Sequence, residues 1–176
     1  MDMITEGTHI ARSEASRGAA VLGAAAAPHA GEYLTYRLGA EEYGVDIQKV
    51  QEIRSCETPT RIPGAPSYVK GVVNLRGVIV PIIDLRMKLG CERADYNPFT
   101  VVIVLAVHKR VVGVVVDSVS DVLDLQAEAI KPPPEMAAGH GADFVTGIAS
   151  VAERMLMLVD MDTLLGADLG AMPQEF

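Results

Sequence analysis

The chain has 176 residues, carries a net charge of −8 and is nearly half apolar. One domain of this length can bury a core of ordinary size, while the acidic charge argues against nucleic acid and anionic membrane surfaces as partners. A transmembrane helix needs about 18 or more consecutive apolar residues, and the chain has no such run, so the composition predicts a globular, soluble protein.

Residues 1–30 differ in composition and apolar pattern from the rest of the chain. They are rich in alanine and show no periodic apolar face, which is typical of a flexible tail. The apolar run at 19–27 follows Arg12 and Arg17 and leaves open a secretion signal, although three acidic residues interrupt the basic region that such a signal needs. Residues 1–30 are therefore interpreted as a flexible N-terminal tail.

Strand-like alternation begins at residue 31. Leu34, Tyr36 and Leu38 fall on one face and polar residues on the other, which predicts a half-buried strand. A turn leads to a second predicted strand from Tyr43 to Ile53, with Asp46 and Glu52 pointing outward. Prolines at 59, 63 and 66 then mark a connection that cannot be a central strand, and a short helical turn is expected at 67–70.

The stretch 68–85 predicts a tight hairpin. Two β-branched runs flank Arg76 and Gly77, and glycine takes a positive φ at little cost. We therefore assign Gly77 a structural role in the turn. After the hairpin, Asp84 is expected to cap a short helix that ends at Gly90.

This pattern occurs twice along the chain. Residues 144–161 repeat the hairpin at an offset of 76 residues, which pairs Asp84 with Asp160, but without the Arg-Gly turn. The first strands are repeated at an offset of 69, which pairs Ile53 with Val122. The sequence thus predicts a duplicated, mainly β protein in which two small antiparallel barrels bury a shared layer of Val, Ile and Leu.

The predicted boundaries follow from the repeat. The folded region spans 31–166, with one barrel at about 31–99 and the other at about 100–166. The Gly-, Ala- and Asp-rich segment 167–176 is expected to fray.

Motifs for catalysis or cofactor binding are missing. The four histidines are scattered, no cluster has metal-ligand spacing, and Cys56 and Cys91 are expected to be free thiols in a reducing compartment. Asp84 and Asp160 could be compared with the acid pair of a two-lobed aspartic protease, but the small residues that such a site needs do not follow them. A small hydrolase is therefore the weaker alternative to a non-enzymatic binding protein without metal or cofactor.

Polar residues of the first copy break the symmetry. Glu52 and Arg76 match Asp121 and Ala152 in the second copy, so the first copy presents a surface that the second does not. A Glu52–Arg76 ion pair is expected there, exposed and therefore worth less than about 1 kcal/mol. The alternative is that Arg76 is an ordinary solvated turn residue.

Several motifs, in this order, closely resemble the CheW family of chemotaxis coupling proteins. The resemblance covers about 32–165 and rests on residues 43–47, 49–54, 70–77, 80–86 and 119–123. It implies two intertwined SH3-like five-stranded barrels, related by a pseudo-two-fold duplication and carrying short helices. It also implies a cytoplasmic adaptor that couples chemoreceptors to the regulatory domain of the histidine kinase CheA, with no nucleic acid and no direct membrane insertion.

The resemblance also implies where the partners bind. Val50, Glu52, Arg76 and Val122 correspond to positions at which the family meets the helical tip of the receptor. Glu135 and Met136 correspond to a kinase contact of the second barrel, and methionine stands where the family usually has an aromatic residue. A CheV-type adaptor is the nearest alternative, and it would add a receiver domain for which this chain leaves no room.

Overall fold

The computed structural model describes residues 30–91, 94–133 and 144–171. These residues form eleven strands, which confirms the predicted mainly β class: β1 (Gly31–Leu38), β2 (Glu41–Asp46), β3 (Val50–Ser55), β4 (Val69–Leu75), β5 (Val78–Asp84), β6 (Val101–Val107), β7 (Arg110–Val116), β8 (Ser118–Leu125), β9 (Ile130–Lys131), β10 (Val145–Val151) and β11 (Arg154–Val159). Two α-helices follow strands of the repeat, α1 (Leu85–Lys88) after β5 and α2 (Met161–Ala171) after β11. Short 3₁₀ turns lie at Ile47–Lys49 and Ala127–Ala129.

The strands form two sheets that exchange strands between the halves of the chain. The six-stranded sheet has the order β8-β1-β2-β11-β10-β9, and the five-stranded sheet has the order β3-β6-β7-β5-β4. Each sheet draws strands from both halves of the chain, so neither sheet coincides with one of the predicted halves at 31–99 and 100–166. The physical cause of this exchange is the parallel pairing of β2 with β11 and of β5 with β7, which joins each first hairpin to the other copy.

The crossing between sheets occurs where one long strand was predicted. The strand expected from Tyr43 to Ile53 is in fact β2 and β3, which belong to different sheets. Between them Asp46 Oδ1 accepts a hydrogen bond of 2.9 Å from the backbone N–H of Gln48, which stabilises the 3₁₀ turn. A cap that favours a turn thus ends β2 and redirects the chain.

The internal repeat is confirmed in the pairing of the strands. The β4–β5 ladder shifts register between Val69 and Gly71, and the β10–β11 ladder shifts between Val145 and Gly147, 76 residues later. The second copy also keeps the turn that its sequence was expected to lack. Ala152 and Glu153 have φ values of 48° and 66°, beside 53° and 87° for Arg76 and Gly77.

The buried apolar residues of the described ranges form three clusters. A central cluster between the sheets draws on both copies and includes the equivalent pairs Leu34 and Ile103, and Ile83 and Val159. Two smaller clusters each belong to one sheet: one contains Leu158 of the six-stranded sheet, and the other contains Ile82 of the five-stranded sheet. The predicted apolar layer between the barrels is therefore confirmed.

The C-terminal end of the described chain is helical. Fraying was predicted from residue 167, but α2 continues to Ala171 and Leu169 is buried in the central cluster. Arg110 donates to the backbone carbonyl of Leu169, and the Tyr68 hydroxyl donates to Asp168 Oδ1 at 2.7 Å. These contacts and the burial of Leu169 outweigh the weak helix propensity of the glycines.

Two further local predictions can be compared with the structure. The helical turn expected at 67–70 is a turn at Ser67 and Tyr68, after which β4 begins at Val69. The predicted cap at Asp84 is confirmed, since Asp84 Oδ1 accepts from the N–H of Arg86 at 3.0 Å. Its repeat partner Asp160 caps α2 in the same way, because Asp160 Oδ1 accepts from the N–H of Asp162 at 3.1 Å.

Candidate protein-docking site

The site begins with an edge strand. β3 lies at one end of the five-stranded sheet and pairs there with β6. Its residues alternate between half-buried and exposed from Val50 to Ser55. An edge strand leaves backbone groups and alternate side chains free to meet another protein, so β3 is a natural docking element.

The β4–β5 hairpin brings a second element to this edge. Arg76 and Gly77 both have positive φ, as a two-residue turn of the I′ type requires. The backbone N–H of Gly77 donates to Asn74 Oδ1 at 2.8 Å, which fixes the turn. The structural role predicted for Gly77 therefore agrees with its conformation, and the turn holds Arg76 at the tip.

The structure brings Glu52 and Arg76 together. Arg76 Nη2 donates to Glu52 Oε2, which confirms the expected ion pair, and Arg54 Nη1 donates to Glu52 Oε1 at 3.0 Å. Arg54 also reaches Glu57 at 3.2 Å. The result is a row of alternating charges, Arg76–Glu52–Arg54–Glu57, that links the hairpin tip to the edge strand.

The two arginines act on Glu52 electrostatically. Hydrogen bonds from Arg54, and then from Arg76, hold the pKa of the Glu52 carboxyl below its usual value. Both carboxylate oxygens are thus occupied, whereas the Arg76 side chain is 73% exposed. Arg76 is therefore the member of the row that is most available to a partner.

The apolar residues predicted at this site lie in different places. Val50 is half-buried against the central cluster. Val122 lies on β8, at the edge of the six-stranded sheet, opposite Leu34 and 45% exposed. Among the hydrogen bonds and ion pairs of the described residues, none joins Val122 to the Glu52 group.

Sequence reasoning missed Ile53 as a surface residue. Ile53 on β3 pairs with Ile103 on β6 and is 45% exposed. Val122, which pairs with Leu34, has the same exposure. Directly paired residues project from the same face of a sheet, and both partners belong to the central cluster. Ile53 and Val122 therefore extend the apolar face between the sheets outward on its two sides. The offset of 69 residues, which pairs them in the sequence, was the signal that could have identified Ile53.

A second charged network occupies the equivalent position in the other copy. Arg154 Nη2 donates to Glu42 Oε2 at 2.6 Å and to Asp121 Oδ1 at 3.1 Å, and Thr35 also donates to Asp121. Hydrogen bonds from Arg154 lower the pKa of both carboxyls. Asp121 is the counterpart of Glu52, so in both copies an arginine binds a carboxylate of the edge strand, although the two arginines occupy different positions in the repeat.

The predicted kinase-contact residues, Glu135 and Met136, lie outside the described residues. Their placement stays a prediction.

The groups considered for catalysis have structural partners. Asp84 and Arg86 are both buried, and the two oxygens of Asp84 accept from Arg86 at 3.0 Å each. This arrangement differs from two carboxylates that share a proton. Burial raises the pKa of the Cys56 and Cys91 thiols, which makes both poor nucleophiles.

Two further features are absent from the described residues. Within the ranges given above, no three His, Cys, Asp or Glu side chains are grouped so that they could hold a metal ion. No helix in the same ranges is long and apolar enough to cross a membrane.

Comparison with known proteins places this geometry in a family. The model of the CheW-like domain matches residues 32–168. The chemotaxis protein CheW of Klebsiella aerogenes is 55% identical over 137 residues, which cover 78% of this chain and 82% of that protein. The CheW protein of Bacillus subtilis is 30% identical over 132 residues, 75% of this chain and 85% of that protein.

A solved structure is also similar. The scaffolding protein TtCheW of Thermoanaerobacter tengcongensis aligns with a TM-score of 0.70 and 29% identity, covering 77% of this chain and 92% of that one. This likeness confirms the predicted pair of intertwined SH3-like barrels, with the added two-residue strand β9 as the sixth member of one sheet. The chain belongs to the CheW family of chemotaxis scaffold proteins.

Proposed function

We propose that the protein is a non-enzymatic cytoplasmic adaptor that couples chemoreceptors to the histidine kinase CheA and helps to build the receptor array. Membership of the CheW family supports the adaptor role. The observation that carries the receptor contact is the Glu52–Arg76 pair, which holds an exposed cation at the tip of a hairpin beside an edge strand.

The receptor surface in this proposal combines charge and apolar contact. Arg76 meets a polar group of the partner, and Glu52 keeps the guanidinium in place. Val50 and Ile53 supply apolar surface on the strand that carries Glu52, and Val122 adds apolar surface at the edge of the other sheet. An amphipathic helix, such as the tip of a receptor, offers the matching stripe of apolar side chains with polar residues along its margin.

Replacing Glu52 with lysine tests the receptor contact. The introduced ammonium group would face Arg76 and Arg54 with a like charge, so we expect Glu52→Lys to displace Arg76 and weaken binding to a receptor cytoplasmic fragment at least about tenfold, with loss of receptor control of the kinase. The fold should be retained, because the side chain lies at the surface.

Glu57→Lys is the matched control. It makes the same charge change at the same sheet edge, and Glu57 contacts Arg54 but has no described bond to Arg76. Receptor binding should remain near the wild-type value in this variant. Equal binding by both variants and the wild type would remove Glu52 and Arg76 from the receptor site.

The kinase contact is proposed for Glu135 and Met136. Immobilised CheA should retain the full chain at micromolar concentration, and Met136→Glu should reduce that retention because it places a charge in an apolar contact. Failure of CheA to retain the wild-type chain would contradict the adaptor function itself. Retention of wild type and Met136→Glu to the same extent would refute only this location.

A further inference from the structure

The loop that precedes β6 presents two aromatic side chains that the proposed function does not use. Tyr96 is 53% exposed and Phe99 is 73% exposed, the highest exposure of any large apolar side chain among the described residues. A single exposed apolar residue is common and needs no explanation. Here hydrogen bonds hold the backbone at 97–100 and the loop borders a cavity, which sets Phe99 apart from an isolated surface residue.

Three hydrogen bonds within the loop fix the backbone around Phe99. Asn97 Oδ1 accepts from the N–H of Phe99 at 2.8 Å, and the Asn97 carbonyl accepts from the N–H of Thr100 at 3.0 Å. The N–H of Asn97 in turn donates to Thr100 Oγ1 at 2.9 Å. A side chain on an already ordered backbone loses less entropy on binding, so Phe99 is preorganised for contact.

A buried guanidinium ties this loop to the rest of the cavity wall. Arg86 Nη1 donates to the Asp95 carbonyl and, at 3.1 Å, to Asp117 Oδ1, while the Tyr96 ring lies 5.0 Å from the guanidinium carbon. The other carboxylate oxygen of Asp117 accepts from the N–H of Gly39 at 2.6 Å. Arg86 therefore holds the loop, the β7–β8 connection and the β1–β2 turn in one fixed arrangement.

These segments surround an open cavity of about 760 Å³. Its walls combine apolar and acidic side chains, among them Leu38, Cys91, Phe99, Glu41, Asp95 and Asp117. The charged side chains that the described residues contribute to this lining are all acidic. Asp117 is engaged by Arg86, whereas Glu41 and Asp95 are exposed and have no ion pair within the described part of the chain.

We propose that this groove docks a segment of a second protein that inserts a bulky apolar side chain beside Phe99 and directs Lys or Arg side chains at Glu41 and Asp95. The acidic rim selects a cationic segment by charge complementarity, and the apolar wall with its aromatic side chain supplies the buried centre that interfaces need. The site shares no residue with the proposed receptor and kinase contacts, so it can be tested apart from them.

The test uses a defined probe and the full chain. A short amphipathic peptide of leucine and lysine is titrated into the ¹⁵N-labelled protein, and a peptide with glutamate in place of every lysine is the matched control. We expect the lysine peptide alone to shift backbone signals at 38–41, 95–99 and 117–118. Shifts spread over acidic residues everywhere would show diffuse charge attraction and overturn the proposal.

Two variants then test the named residues. Phe99→Ser and Glu41→Lys should each weaken binding of the lysine peptide about tenfold or more, as loss of a central contact does. Met155→Ser, which changes a 66% exposed apolar residue elsewhere, should bind like the wild type. Unchanged affinity in Phe99→Ser, with its spectrum showing an intact fold, would refute the site.

Discussion

Gly71 on β4 is the position where one added carbon should do most damage. Its φ is +139°, and a Cβ built on it would lie 2.1 Å from the carbonyl oxygen of Thr60 and 2.6 Å from its carbonyl carbon. These are backbone atoms, so no side-chain rotation relieves the overlap. Thr60 is held in place by two hydrogen bonds with Val72, at 2.8 and 2.9 Å. Gly71→Ala must therefore separate Thr60 from β4.

The expected cost follows from these contacts. Each of the two hydrogen bonds is worth about 0.5–1.5 kcal/mol, and a non-glycine residue in this backbone conformation costs about 1–3 kcal/mol, which gives about 2–6 kcal/mol in the free energy of unfolding. Urea unfolding followed by far-ultraviolet circular dichroism measures it, since the chain contains no tryptophan.

Gly90→Ala separates the overlap from the effect of backbone conformation. Gly90 also has a positive φ, +74°, but an added Cβ would meet nothing within 4 Å. It should lose only about 1–2 kcal/mol, the ordinary cost of the left-handed conformation. The argument about Thr60 would be refuted if Gly71→Ala lost no more stability than Gly90→Ala.

Three other substitutions test the turn, the C-terminal helix and the second charged network. Gly77→Val should cost about 1–3 kcal/mol because φ is +87° at the hairpin tip; an unchanged melting temperature would show that the tip tolerates a branched residue. Leu169→Ala should lower the free energy of unfolding by about 2–5 kcal/mol because the side chain is buried, whereas Met155→Ala at the surface should change it little. Equal losses in the two variants would mean that α2 does not pack against the core. Arg154→Met should be less stable than the wild type near neutral pH. Arg154 lowers the carboxyl pKa values of Glu42 and Asp121, so the stabilisation by Arg154 is complete above their unfolded pKa values of 4.5 and 3.8 and disappears as pH falls through the lowered folded-state values. The unfolding free energies of Arg154→Met and the wild type should therefore converge in acid. A difference between them that does not depend on pH would assign the effect to packing.

The strands and the duplication could be predicted because both are local patterns. Alternation of apolar residues marks each strand, and a constant offset marks the repeat. The exchange of strands between sheets could not be predicted in the same way, because it depends on the pairing of β2 with β11, more than a hundred residues apart. Asp46 gave the one local signal, since an aspartate followed by a short turn ends a strand.

At the C-terminal end and at the charged site, the success of a prediction again depended on which local pattern was considered. Glycine and alanine suggested a frayed C-terminus, yet Met161, Leu165 and Leu169 recur at the helical spacing of four and are all buried. The Glu52–Arg76 pair was predicted because it breaks the symmetry of the copies. The Arg154 network was not predicted because the repeat pairs Arg154 with Val78 and not with Arg76, although Asp121 had already been matched with Glu52.

The exchanged hairpins bear on how such a chain could arise. Every pairing in the five-stranded sheet has its counterpart in the six-stranded one, including the parallel pairs β5–β7 and β2–β11. Two separate copies of a single half could therefore build both sheets as a symmetric dimer by swapping their first hairpins. Joining them end to end would keep the same contacts while allowing each copy to mutate alone, and this freedom is what lets one tip carry an arginine that the other lacks.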